Sequence, residues 1–289
     1  MSQLATYAVT ALDGVAFGLL LFVVAAGLAL IFGVLQVFNL AHGTLYLAGA
    51  YLAYALGDGG MASLIGAAAA GVVLGAGGGL VLSAALRPLA GRGHLDQALA
   101  TFGIAFVVAD VFTTIFGSAP LPTAPPKLLS GSIEMAGHGY PVYRLTFIAV
   151  AVVLAAGLHV MVRHTTAGAM LRATVSDPAM AAATGINTTR ARHAAMAAGG
   201  ALAVAGGVLG APLLGPAPGA DMTVLVLSLV VVIVGGGSIL GTLAAALLVG
   251  QVQTVGVLAA PVAAPFALFA VMFMVLLIRP PAAPLGPPR

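Results

Sequence analysis

From Gly14 to Leu35 the chain runs without a single charged side chain. A helix needs roughly 20 residues to cross the hydrocarbon core of a bilayer, so this run is long enough to be a span. Nine apolar segments follow one another: Gly14–Leu35, Leu40–Leu56, Met61–Leu86, Gln97–Gly117, Val142–Val162, Ala194–Leu214, Met222–Val234, Thr242–Leu258 and Ala264–Ile278. The second and seventh are short. Only 6% of the residues are charged and 61% are hydrophobic, whereas a soluble domain carries about 25% charged residues. A membrane barrel would show segments of about 10 alternating residues, and none are present. The sequence therefore implies an all-α, polytopic transmembrane helix bundle of about eight to ten membrane segments, some of them broken.

The few charges set the orientation. Arg87 and Arg92 follow the third segment, Arg163, Arg172, Arg190 and Arg192 follow the fifth, and Arg279 and Arg289 follow the last. Basic loops stay in the cytoplasm. One alternation puts all three groups inside, with Lys127, Arg144, Asp13, Asp58, Glu134 and Asp221 outside. It places the N-terminus outside and the C-terminus in the cytoplasm. The net charge of +3 then reports topology rather than nucleic-acid binding. No Lys or Arg precedes the first run, and that run can span, so no signal peptide is read. The expected organisation is one transmembrane domain over 1–279 with a Pro-rich tail over 280–289. The Pro-rich linker 118–141 reads as an external loop, either a plain connector or a docking surface.

The cytoplasmic loop 162–193 carries clear helix punctuation. Asp177 can cap free backbone N–H groups, and Pro178 fits a first helical turn. Gly185 fits a left-handed stop. The expected helix, Pro178 to Thr184, presents Ala181, Ala182 and Ala183 and is too short to be stable alone. It packs either on its own bundle or into a groove of a cytoplasmic partner.

Polar residues inside the apolar runs are the other candidates. Glycines there mostly let helices approach closely, but two clusters interrupt a run. One surrounds Asn39, Leu40, Ala41, His42 and Gly43; the other is Gly235, Gly236, Gly237, Ser238 and Gly241. Broken segments in two halves point to a repeat-built transporter. Tyr46 follows His42 by four and shares its helical face. Asn39 and His42 either cap a broken helix, near the inner end of the first hairpin, or line a path. Thr101 can satisfy a backbone carbonyl. Asp110 is the carboxylate deepest in a segment, with a structural or a pathway role and Arg144 as a possible partner. His42 has no ligand-spaced partner for a metal. No phosphate-binding G-x-x-x-x-G-K-[ST] is present, so the chain holds no P-loop, and no paired carboxylates or nucleophile elbow suggest an enzyme.

Together these motifs resemble the LivH-type permeases of bacterial ABC importers. Asn39-Leu40-Ala41-His42-Gly43, preceded by Ile31-Phe32-Gly33-Val34, resembles that family's N-[FL]-A-H-G signature. Ala100-Thr101-Phe102-Gly103-Ile104 resembles its A-T-x-G-[IL] helix. Arg172-Ala173, Asp177, Ala181 and Gly185-Ile186-Asn187 resemble its cytoplasmic loop. Gly235, Gly237-Ser238 and Gly241 resemble its G-x-G-S-x-x-G stretch. The matches fall in the family's order. Two departures stand out: Asp110 takes the place of an amide or other polar residue, and 194–220 is unusually rich in Ala, Gly and Pro. The resemblance implies a core of two permeases, this one and a different but related second chain. It also implies two cytoplasmic ATPase subunits, which bind ATP and Mg while this chain binds no cofactor, and a periplasmic substrate-binding protein. The implied cargo is branched-chain amino acids or related small polar solutes such as urea and short amides, carried across a bacterial inner membrane. The Asp177 helix would be the coupling helix. The alternative is a self-sufficient secondary transporter or channel, which would need a mid-membrane ion site, and Asp110 alone offers one.

Overall fold

The computed structural model describes residues 3–35, 39–89, 92–135 and 137–278. The Pro-rich tail, with Arg279 and Arg289, lies outside them. In chain order the first helices are α1 (Gln3–Leu35), α2 (His42–Leu56), α3 (Met61–Ala85) and α4 (His94–Phe116). A hairpin of β1 (Ser132–Met135) and β2 (His138–Pro141) follows. Then come α5 (Val142–His164), α6 (Thr166–Ser176), α7 (Pro178–Ala183), α8 (Thr188–Leu214), α9 (Ala220–Gly235) and α10 (Ile239–Gln251). A π-helical stretch, Val252–Gly256, leads into α11 (Val257–Ala259), and α12 (Ala264–Ile278) follows. Among the described residues six helices are long and apolar enough to cross a membrane, and shorter apolar helices lie at Ala220–Gly235 and Phe266–Val275.

The axis of the bundle is an antiparallel pair, α1 and α8. From Gly14 onward α1 is apolar on every side, as a helix enclosed by protein is, and Leu20, Leu21 and Leu28 on it are fully buried. The pair crosses at Gly27 and Gly199; a Cβ on Gly199 would come within 2.7 Å of the Gly27 carbonyl oxygen. Each axial helix has one further close partner. α3 lies antiparallel on α8, with Gly75 against Gly200 and Gly79 against Met196. α10 lies antiparallel on α1, where a Cβ on Gly18 would sit 2.7 Å from the Ala246 carbonyl oxygen. Hydrocarbon gives little drive for helices to associate, so backbone approach through small residues supplies the cohesion.

The two halves are thus built alike and point opposite ways. In each, a long helix (α1 or α8) is followed by a short one (α2 or α9) and then by a helix packed on the other half's long helix. α2 has 15 residues and α9 has 16, or about 24 Å of helix at most. Neither crosses a bilayer core of about 30 Å alone. α2 runs from the middle of the bundle to the end that carries the hairpin; α9 runs from the middle to the end that carries α7. The breaks that correspond are therefore the connections α1–α2 and α8–α9. The Gly235–Gly241 cluster is instead the α9–α10 corner, whose counterpart is the α2–α3 corner at Gly57–Gly60.

The linker 118–141 is tied down. Leu121 N–H donates to the Pro216 carbonyl at 2.9 Å and Lys127 N–H to the Gly59 carbonyl at 2.8 Å. Its hairpin pairs Ser132 with Pro141 and Met135 with His138, a small strand element within the otherwise helical fold. α8 begins at Thr188, before the apolar run from 194, because Asn187 Oδ1 accepts from Arg190 N–H at 2.9 Å and starts the helix early.

Candidate functional site

The break before α2 is built by the signature residues themselves. Asn39 Oδ1 accepts from Ala41 N–H at 3.1 Å, and the Asn39 carbonyl accepts from His42 N–H at 3.2 Å. Thr101 on α4 accepts from Leu40 N–H at 3.0 Å through Oγ1 and donates to the Ala98 carbonyl at 2.9 Å. A broken chain inside a bilayer needs such partners, since water is not there to replace them. His42 is fully buried and its Nε2 lies 2.9 Å from the Val24 carbonyl oxygen. Val24 is eleven residues from the end of α1, or about 16 Å along the helix. His42 thus sits well inside the bundle rather than at its inner end, because the chain turns back after α1. Tyr46, four residues on, is equally buried and packs in the main core.

The first turn of α2 meets the first turn of α9. A side chain at Gly43 would overlap the Asp221 carbonyl oxygen and come within 2.9 Å of Leu225 Cβ. Asp221 is only 2% exposed, although the alternation of charges puts it in an external loop. Its segment re-enters: after α8, Gly215 and Gly219 take left-handed conformations, φ +71° and +83°, and turn the chain back into the bundle. The Asp221 carboxylate makes no ion pair among the described residues. Tyr51, on α2, lies within reach of its charge. Around this junction five buried polar atoms have no hydrogen-bond partner among the described residues: Asn39 Nδ2, His42 Nδ1, Thr44 Oγ1, Tyr51 Oη and Ser228 Oγ. Two helix N-termini, a buried carboxylate and these unsatisfied groups converge here. Apolar periodicity carries no trace of that convergence; the Gly-Pro-Ala-Pro-Gly run before Asp221 was its one signal.

The other glycine cluster is a mechanical corner. Gly236 and Gly237 have φ of +66° and +79° and reverse the chain after α9. Ser238 Oγ accepts from Gly241 N–H at 3.0 Å and starts α10. Gly235 and Gly241 touch backbone to backbone, leaving no room for a side chain at either. This corner lies at the far end of α9, about 20 Å from Asp221. The structure does not bring it to the α2–α9 junction.

Asp110 stands apart from both. It is exposed on α4, next to exposed Phe106, Val107 and Val111. Arg144, its possible partner, is paired with Asp13 on α1.

At the opposite end from the hairpin, α7 is held from both sides. Asp177 Oδ1 accepts from Ala179 N–H at 3.0 Å and Met180 N–H at 2.9 Å. Gly185, at φ +89°, stops the helix, and Ile186 N–H returns to the Ala181 carbonyl at 3.0 Å. Asn187 starts α8 rather than contributing to α7. Ala181 alone in α7 is buried; Pro178, Ala182 and Ala183 are exposed, and Met180 is 62% exposed. Arg87, Arg92, Arg163, Arg172, Arg190 and Arg192 all lie at this end.

A family described as a branched-chain amino acid transport system permease component matches residues 10–279. Two curated relatives are the high-affinity branched-chain amino acid transport system permease proteins LivH of Escherichia coli strain K12 and of Escherichia coli O157:H7. Each is 25% identical over 217 residues, covering 68% of this chain and 68% of the relative. No solved structure gives a significant match.

Proposed function

The chain belongs to the branched-chain amino acid transport permease family, and we propose that it forms half of the membrane path of an ATP-driven importer for branched-chain amino acids or related small polar solutes. The match over residues 10–279 carries this reading. Two ATPase subunits would dock on the α7 end and hydrolyse ATP with Mg, a second and different permease would complete the path, and a periplasmic binding protein would deliver the solute at the hairpin end. The arginines grouped around α7 support a cytoplasmic position for that end, which leaves the N-terminus outside the inner membrane and the C-terminus in the cytoplasm.

In this reading α7 is the coupling lever, through Asp177, Pro178, Ala181, Ala182, Ala183 and Gly185. An ATPase groove would cover Met180 and the exposed alanines. Motion of α7 would pass along α8, which touches α1, α2 and α3, to the α2–α9 junction. There Asn39, His42, Gly43 and Asp221 would border the path, with Tyr46 and Thr101 holding their shape. Helix N-termini favour a carboxylate, Asp221 favours an ammonium group, and an amino acid carries both. The Gly235–Gly241 corner would serve as a joint. Asp110 would face the second permease or the path.

The test is reconstitution in proteoliposomes with both ATPases, the second permease and the binding protein. Uptake should require ATP and the loaded binding protein. Uptake by this chain alone would overturn the reading in favour of a secondary transporter or channel.

A further inference from the structure

A cavity of about 660 Å³ opens at the α7 end, between α1, α5, α6 and the α9–α10 corner. It is unrelated to the α2–α9 junction. Its inner wall is apolar: Leu30 and Gly33 of α1, Leu171 and Val175 of α6, and Ile239 of α10. Its mouth is basic, with Arg163 at the end of α5 and Arg172 on α6, and no Asp or Glu lines it. The N-terminus of α10 opens onto it as well, at Ser238 and Ile239. One guanidinium N–H of Arg172 donates to the Val162 carbonyl oxygen, which holds that side chain at the rim. Arg163 is exposed.

We propose that this cavity binds one anionic phospholipid, with the phosphate between Arg163 and Arg172 and an acyl chain along the apolar wall. Three features select this occupant. Two arginines and a helix N-terminus match a phosphate diester, since a guanidinium pairs with phosphate oxygens in a fixed fork and a helix start adds N–H donors. The apolar wall matches an acyl chain and would be wasted on a free ion. Apolar surface also leads out of the cavity: Leu240 of α10 lines it and is itself exposed. Basic pockets between membrane helices on the cytoplasmic face are the setting in which such headgroups are held. A bound lipid would wedge between α6, which carries α7, and the α9–α10 corner, so occupancy would bias how the coupling end sits against the joint.

The test uses the full chain, purified in detergent and then placed in nanodiscs. Retained lipid is read by native mass spectrometry after exposure to phosphatidylcholine with either cardiolipin or phosphatidylglycerol. We expect one retained anionic lipid per chain and no retained phosphatidylcholine. Arg163→Gln should weaken retention about fivefold, the effect of one basic side chain near a charged lipid surface, and Arg163→Lys should largely restore it. Arg172→Gln should weaken retention at least as much, but it also removes a contact within the fold, so Arg163 is the deciding position. Retention unchanged in Arg163→Gln would overturn the proposal. So would displacement of the lipid by millimolar inorganic phosphate, which would identify a site for a free anion instead.

Discussion

α7 and the α2–α9 junction both depend on helix N-termini, and they are held in opposite ways. At α7 the hydrogen bonds at both ends come from within a few residues. Asp177 bonds to Ala179 and Met180, and Ile186 bonds back to Ala181. The element is then left outward, with Met180 uncovered. At the junction the local bonds of Asn39 are joined by contacts from far along the chain. Leu40 bonds to Thr101, His42 to Val24, and Gly43 rests on Asp221. Apart from half-buried Leu40 the set is buried. A locally held, outward element can move as a unit and be grasped. A buried junction of distant parts changes only when the helices that form it shift. The pair therefore reads as a handle and the gear it drives, with α8 between them.

The strongest way to break that comparison is to jam the gear. Gly207 on α8 lies so close to α2 that a side chain would overlap the Tyr46 carbonyl oxygen and approach Ala50 N to 2.9 Å. Backbone cannot yield as a side chain does. Gly207→Leu should cost about 3 kcal/mol or more, and most of the protein should lose its monodisperse peak in size-exclusion chromatography. A stable, active Gly207→Leu protein would show that α2 and α8 are not locked together.

The same contrast explains what could be read from the residues. Asp177-Pro178 and Gly185 announced α7 because capping and left-handed stops are local rules. Its observed bounds, Pro178–Ala183, differ from the expected ones by one residue. The spans were legible because a bilayer imposes length and polarity on each helix separately. Asp221 was misplaced because its burial depends on a chain reversal at Gly215 and Gly219, far from the helix it meets. Asp110 drew attention by lying in an apolar run, yet the burial of a helical face is settled by neighbours that hydropathy does not name. The glycine clusters were both real interruptions, but they were matched to each other although their counterparts lay elsewhere.

A second prediction takes the handle. Ala182 is exposed on α7, so a charge there should leave the fold intact while entering any apolar groove unpaired. Ala182→Glu should lower ATP-driven uptake at least about tenfold, since an unpaired charge in an apolar contact costs more than about 1.4 kcal/mol. Gly185→Pro should do the same by forbidding the left-handed stop. Membrane insertion and melting temperature should stay near those of the parent protein. Co-purification of the ATPases is the direct readout, and undiminished uptake by both variants would sever α7 from coupling.

A third sharpens the choice between the two carboxylates. Asp221→Asn should reduce uptake about tenfold to a hundredfold, the range for losing a charged hydrogen-bond partner. Asp110→Asn should change it by about twofold or less, as exposed positions do. Binding of the loaded receptor and basal ATPase activity should be kept in both. The reverse ranking would move the path from the α2–α9 junction to the outer face of α4.

The smallest effect concerns what holds the handle together. Asp177→Ala removes the acceptor for two N–H groups of α7 but touches nothing in the bundle. Loss of such a cap costs about 1 kcal/mol, so α7 should open about fivefold more often while the rest of the protein is unaffected. Hydrogen–deuterium exchange should speed up at residues 179–183 and remain unchanged in α8, where Asn187 supplies a separate cap. Asp177→Ser, which can still accept, should lie close to the parent. If α7 is grasped by an ATPase, the groove should re-form the helix and most of the exchange difference should vanish in the assembled transporter. Exchange that stays fast after assembly would mean that α7 lies free, and that the lever is some other part of the 162–193 loop.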